Sequence, residues 1–190
     1  MTIRQEAKLL FGHLIGVFRS GDEKLTEGSI DALPVIHLES GAFEEGGEIP
    51  QRFSQEGENV SPELRWRNLP AGTKELALFC EDPDAPMAKP YLHWMAYGIA
   101  ATVTGLPEGV PTDVNVGFGV LRQGRNDGMT IGYTGPMPPV GHGVHHYHFQ
   151  LFALNRKLSL RENPIIEELA KAMKGHVIGQ GELVGTYERK

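Results

Sequence analysis

Residues 76–94 read Leu76-Ala77-Leu78-Phe79-Cys80-Glu81-Asp82-Pro83-Asp84-Ala85-Pro86-Met87-Ala88-Lys89-Pro90-Tyr91-Leu92-His93-Trp94. An apolar strand, Glu75 to Cys80, runs into two carboxylates set between prolines, and an imidazole follows within reach. Proline locks φ at about −65° and removes a backbone donor. Each residue before a proline is driven out of the helical region. The Asp82–Pro86 segment is therefore neither helix nor central strand. It is expected to be a stiff loop that aims its carboxylates, and it reads as a site. His93 to Ile99 is the next strand, rich in large apolar side chains.

Outward from this stretch the texture stays short-stranded. Val35-Ile36-His37-Leu38 is a strand, followed by a loop rich in glycine and glutamate through Gly47. Ser61-Pro62-Glu63-Leu64-Arg65-Trp66 leads to the turn Pro70-Ala71-Gly72-Thr73. Gly117 to Gly143 is dense in glycine and proline and is expected to be mostly loop, long enough to point to function. Tyr147, Phe149, Leu151 and Ala153 alternate with His146, His148, Gln150 and Phe152, which gives a strand over 145–154. One helix is well marked: Asn163 as N-cap, Pro164 at the first helical position, Ile166, Leu169 and Met173 on one face, and Gly175 as the stop. A last strand runs from about Leu183 to Tyr187.

Residues 2–19 differ from the rest. Ile3, Ala7, Leu10, Leu14 and Val17 recur at helical spacing, so an amphipathic helix is expected there, with a polar linker over 20–33. The chain thus divides into residues 1–33 and a domain over 34–190. The mixed charges Arg4, Glu6 and Lys8 do not fit the basic polar face of an interfacial helix. Packing on the domain or on a second subunit, in a homodimer, is the expectation, with a membrane-surface element as the alternative. Leu9–Phe18 is interrupted by Gly12, His13 and Gly16 and lacks a small-residue cleavage site, so it is expected to be retained.

Composition sets the bounds. The 190 residues suit one domain with a substantial core. The 24 glycines and 13 prolines favour turns and short strands over a helical bundle. A net charge of −6 argues against a nucleic-acid partner. The single cysteine, Cys80, allows no internal disulfide and favours a reducing, cytoplasmic setting; in an apolar run it reads as inert. No apolar run approaches the roughly 20 residues that cross a bilayer, so stable membrane insertion is not expected.

The ordered motifs carry more than their parts. Ser61-Pro62, Leu64 and Trp66, Pro70 to Lys74, Asp82 to Pro86 and His93-Trp94 are followed by Gln123-Gly124-Arg125-Asn126-Asp127 and Gly132-Tyr133. Gly135-Pro136-Met137-Pro138-Pro139, His145 to Phe149, His176-Val177-Ile178 and Gly185-Thr186-Tyr187 complete the series. Over residues 34–190 the chain resembles the phosphatidylethanolamine-binding protein family, also called Raf kinase inhibitor-like proteins. Asn126-Asp127 and the closing Gly-Thr-Tyr are similar to its bacterial and archaeal branch. The resemblance implies a mostly β fold with two antiparallel sheets and peripheral helices. It also implies a small anion pocket formed by Asp82, His93, Gly135, His145 and Tyr147. Asp84, Ala85, Pro86, Trp94, Pro136 and Met137 would shape its wall. Met137 stands where many eukaryotic relatives carry glycine, which would narrow the mouth.

The residue types fit that chemistry. An anion needs donors, here the imidazoles of His93 and His145, the Tyr147 hydroxyl and backbone N–H groups exposed by glycine. Asp82 would orient an imidazole and favour its charged form. It would also repel a dianion, so it accepts better from a monoanion or an ammonium group. Binding is expected to strengthen as the histidines protonate. The function implied is binding of phosphate or a phosphorylated head group, with modulation or inhibition of a kinase or protease partner. No cofactor is called for. Two other readings stay open. One is a small-molecule hydrolase or isomerase using Asp82 with His93 as acid–base pair, acting through water because no nucleophilic serine or cysteine accompanies them. The other is a metal held by His142, His145, His146 and His148, which strand alternation would split, leaving His146 and His148 in solvent.

Overall fold

The computed structural model describes residues 33–117 and 120–190. The helix and linker expected over 1–33 fall almost wholly outside the described residues. Alternating apolar residues give each strand a side to bury, and here the strands sort into two antiparallel sheets. The smaller has the order β1-β2-β5, with β1 His37–Glu39, β2 Leu64–Arg67 and β5 Gly105–Leu106. The larger contains β3 (Glu75–Asp82), β4 (Tyr91–Ala100), β6 (Asn115–Val116), β7 (Leu121–Gln123), β8 (His145–Leu154) and β9 (Val177–Tyr187). Its order is β6-β7-β4-β3-β8-β9.

One face of the large sheet, bearing Leu76, Leu78, Trp94, Phe149 and Leu151, packs with Leu38, Leu64, Trp66 and Leu106 of the small sheet in a single apolar cluster. The opposite face, bearing Ala77, Phe79, Met95, Tyr97 and Phe152, meets Leu169 and Met173 of helix α1 (Ile166–Met173). Because β3 is buried on both faces, its sequence is a continuous apolar run rather than an alternation. The outer edge of β9 is closed by main-chain bonds, Ile36 N to Gln180 O at 2.7 Å and Ile49 N to Thr186 O at 2.8 Å, which leaves less edge open to another chain.

Several expectations need correction. Asp82 is the last residue of β3, a central strand, and faces Tyr91 of β4; only Pro83 onward is loop. The strand hydrogen bonds extend one residue further than the proline pattern implies because Pro83 lies outside the ladder. β9 begins at Val177, well before Leu183. Its early residues include Gly179 and Gly181, and a Cβ on Gly181 would collide with the Ile36 carbonyl oxygen. The strand needs glycine for this close approach, and glycine hides the alternation. Helix α1 starts at Ile166, with Ile165 preceding it and its N–H donating to the Glu168 carboxylate at 3.1 Å. Asn163 has φ 52° and is not the cap. Of the peripheral helices, the described residues hold this one and a single 3-10 turn, Gln51–Phe53. The 117–143 stretch, expected as loop, contains the short strand β7.

Candidate functional site

Strand alternation puts Asp82 on β3 and both His145 and Tyr147 on β8 on the face shared with the inter-sheet core. His93 reaches the same face by a different route. Cys80 pairs with Trp94 while Glu81 pairs with Leu92, so β4 carries an extra residue there and His93 is the bulge. A bulge re-aims a side chain. Here it lets two successive residues serve the inter-sheet side, Trp94 in the core and His93 at the core's end, with the His93 ring edge-on to Tyr147 at 5.0 Å between centroids.

Together these residues line a cavity of about 360 Å³. Ala85, Pro86 and Met87 of the β3–β4 loop form one wall, and Met137, Pro138 and Pro139 form the other. Of the residues named from sequence, Asp82, Ala85, Pro86, His93, Met137, His145 and Tyr147 line it. Four do not. Trp94 is fully buried and donates its ring N–H to Gln123 Oε1 at 2.7 Å. Gly135 donates its N–H to Asn59 Oδ1 at 2.8 Å, and its carbonyl accepts from Gln55 Nε2 at 3.0 Å, so its backbone is spent on structure and not left for an anion. Pro136 takes part in the same clamp through its carbonyl. Asp84 reaches away to His146, accepting from its backbone N–H at 2.8 Å and its ring at 2.7 Å. Gln55, Met87, Tyr91, Pro138 and Pro139 line the cavity without having been named as site residues. Tyr91 comes in through its strand register directly across from Asp82, which the sequence does not show, and Gln55 carried no sequence signal.

The electrostatics are uneven. Asp82 Oδ2 accepts from His145 Nδ1 at 2.8 Å, and its Oδ1 accepts from the Asp84 N–H at 2.8 Å. The other ring nitrogen of His145 meets His142 Nδ1 at 2.8 Å, so both His145 nitrogens are engaged and neither is a free donor. His93 gives its Nδ1–H to the Thr134 carbonyl at 2.7 Å. A carbonyl can only accept, so the neutral ring keeps a lone pair on Nε2. Burial lowers the His93 pKa below the usual histidine value, partly offset by the Thr134 carbonyl and the Asp82 charge. Burial, with Asp82 beside it, pushes the Tyr147 phenol far above its usual value, so it stays an O–H donor. That hydroxyl has no hydrogen-bond partner in good geometry.

Asp82 and His93 are thus not a hydrogen-bonded acid–base pair; the partner of Asp82 is His145, one strand over on the other side. The histidine cluster also separates. His146 is exposed and paired with Asp84, while His148, expected in solvent, is buried and paired with Glu182 at 2.9 Å. Among the described residues no group of three or more His, Cys, Asp or Glu side chains is arranged to hold a metal ion. None of the described helices is long and apolar enough to cross a membrane.

Comparison with known proteins agrees with the geometry. The family model described as phosphatidylethanolamine-binding protein matches residues 39–188. A UPF0098 protein of Methanothermobacter thermautotrophicus is 44% identical over 154 residues, covering 81% of this chain and 99% of the relative. Among solved structures, a phosphatidylethanolamine-binding protein homologue from Chlamydia trachomatis superposes with TM-score 0.74 at 36% identity, over 82% of this chain and 99% of that one. YbcL of Escherichia coli does so with TM-score 0.76 at 32% identity and the same coverage. With its family model spanning residues 39–188, the whole cavity lining included, the chain belongs to the phosphatidylethanolamine-binding protein family.

Proposed function

We propose that this protein binds a small anionic group, phosphate or a phosphorylated head group, in the cavity lined by Asp82, His93, His145 and Tyr147, and that occupancy modulates a kinase or protease partner. The Tyr147 hydroxyl carries the reading. A buried hydroxyl left without a partner costs about 1–3 kcal/mol. Tyr147 lines the cavity with its hydroxyl beside the Asp82 carboxylate but in no well-formed hydrogen bond, its ring set edge-on to His93. A ligand oxygen that accepts from it recovers the cost. Asp82 and the His93 lone pair favour a ligand that can also donate, such as a protonated phosphate oxygen or an ammonium group, over a bare dianion.

The test is an NMR titration with phosphate, phosphorylethanolamine and phosphotyrosine. His93, His145 and Tyr147 resonances should move together; silence at all three would sink the assignment. Tyr147→Phe separates binding from packing. The variant keeps the ring but removes the unpaired hydroxyl, so its stability to urea should hold or rise by about 1 kcal/mol. Its phosphate affinity should fall about tenfold, the equivalent of one ordinary hydrogen bond. Unchanged affinity would remove Tyr147 from the site.

A further inference from the structure

We propose that His142 belongs to this site as its proton carrier: an anion bound beside Asp82 takes up one proton, and that proton resides on His142 Nε2. The inference rests on the cavity being an anion site, as proposed above. It comes from the hydrogen-bonded chain that leads out of the cavity, Asp82 Oδ2 to His145 Nδ1 at 2.8 Å and His145 Nε2 to His142 Nδ1 at 2.8 Å.

With His145 neutral, the donor and acceptor roles along the chain follow. A carboxylate only accepts, so His145 Nδ1 carries the hydrogen. A neutral His145 then offers a lone pair at Nε2, so His142 Nδ1 must donate to it. His142 Nε2 is left bare on an exposed residue, while His145 is buried. Adding one proton at His142 Nε2 breaks no hydrogen bond and cancels the Asp82 charge across the chain. A second proton would have to enter His145 Nε2 and would break the contact with His142. The chain therefore accepts one proton, at its outer end.

The surroundings leave no easier source of positive charge. Among the described residues no lysine or arginine lines the cavity. On β4, His93 is buried with Nδ1 committed to Thr134, and burial opposes its charged form, with Asp127 and Asp82 acting the other way. Tyr91 and Tyr147 are phenols raised by burial. On the loop after β3, Asp84 is paired with His146. Near the C-terminus, Arg189 is paired with Glu56 at 2.9 Å and donates to the Pro138 carbonyl. An anion beside Asp82 is thus offset most cheaply through His142.

The experiment is calorimetric titration of the full chain with dimethyl phosphate, a ligand that stays singly charged near neutrality. Paired buffers of different ionisation enthalpy count the protons exchanged. The expected result at about pH 7 is uptake of up to about one proton per ligand, with affinity falling up to about tenfold for each further unit of pH. His142→Gln, on the surface, should bind more weakly, with uptake near zero and a flat pH profile. In the wild-type protein, imidazole 15N spectra should place the new proton on His142. Uptake that persists in His142→Gln, or a proton that appears on His93 instead, overturns the proposal while leaving the anion site standing. Absence of binding by the wild-type protein at every pH overturns both.

Discussion

Gly135→Ala is expected to lower the unfolding free energy by about 2–6 kcal/mol, the sum of an overpacking cost of about 1–3 kcal/mol and a stranded buried hydroxyl of similar size. A Cβ at this position lands on the Phe53 carbonyl oxygen and lies 2.8 Å from Ser54 Cα. Both obstacles are main chain, so no side-chain rotation relieves them. The Phe53 carbonyl is also the acceptor for the buried Tyr133 hydroxyl at 2.9 Å, and displacing it leaves that hydroxyl unpaired. The same shift pulls on Gly135 N–H to Asn59 and on Gln55 N–H to the Pro136 carbonyl at 3.0 Å. Gly135 follows Thr134, whose carbonyl holds His93, and precedes Met137 to Pro139 of the cavity wall. Variant molecules that do fold should therefore also lose phosphate binding. Urea unfolding measures the first effect, and a loss below about 1 kcal/mol would show that the 53–59 segment yields freely.

The residue that the motif puts in the anion pocket thus acts as a spacer. The sequence shows that glycine is there but not that a carbonyl from a segment some 80 residues earlier presses against it. The same limit applies across the site. β3, β4 and β8 were readable because their apolar residues are dense or alternate, and the register of three paired strands then brings Asp82, His145 and Tyr147 to one end of one face. His93 was read from spacing as within reach of the carboxylates, and family resemblance placed it in the pocket. Strict alternation would have set His93 and Trp94 on opposite faces, and only the bulge lets both serve one side. Without that knowledge Trp94 was assigned to the pocket wall, when it anchors Gln123, which in turn bonds the Pro111 and Asp113 carbonyls.

Hydrogen-bond allegiance was the least legible property. Asp82 and His93 are near each other in sequence, yet Asp82 pairs with His145, 63 positions away. Composition counts donors; it does not reveal that His145 has already used both nitrogens. The resulting cavity is poorer in free donors than the residue list implies. Among the described residues lining it, the buried donor left without a well-formed hydrogen bond is the Tyr147 hydroxyl, and positive charge there comes by protonation. This is why the site should discriminate on ligand charge and pH more than on size.

The other face of the large sheet carries a second buried charge problem, and its resolution should dominate the pH dependence of stability. Glu81 stands directly across from His148 on β8, is 4% exposed, and has one carboxyl oxygen with no partner. Burial, with a smaller push from the Asp127 carboxylate, raises its pKa to about 8. In the unfolded chain the same carboxyl titrates at about 4.3. Between these values the folded protein holds a proton that the unfolded chain releases, so stability falls as pH rises through that window and levels off above it. At about 1.36 kcal/mol for each unit of pKa, the loss is on the order of 5 kcal/mol by pH ~9. Glu81→Gln keeps the shape of the protonated acid and has no proton to lose. Its stability should match the wild-type protein near pH ~4 and exceed it by a few kcal/mol at pH ~9. Glu75, also raised by burial, adds the same trend to both proteins, so their difference isolates Glu81. Urea midpoints at the two pH values measure it. Parallel stability profiles would mean that the Glu81 carboxyl reaches water when ionised, and that this end of the sheet opens far more easily than its burial implies.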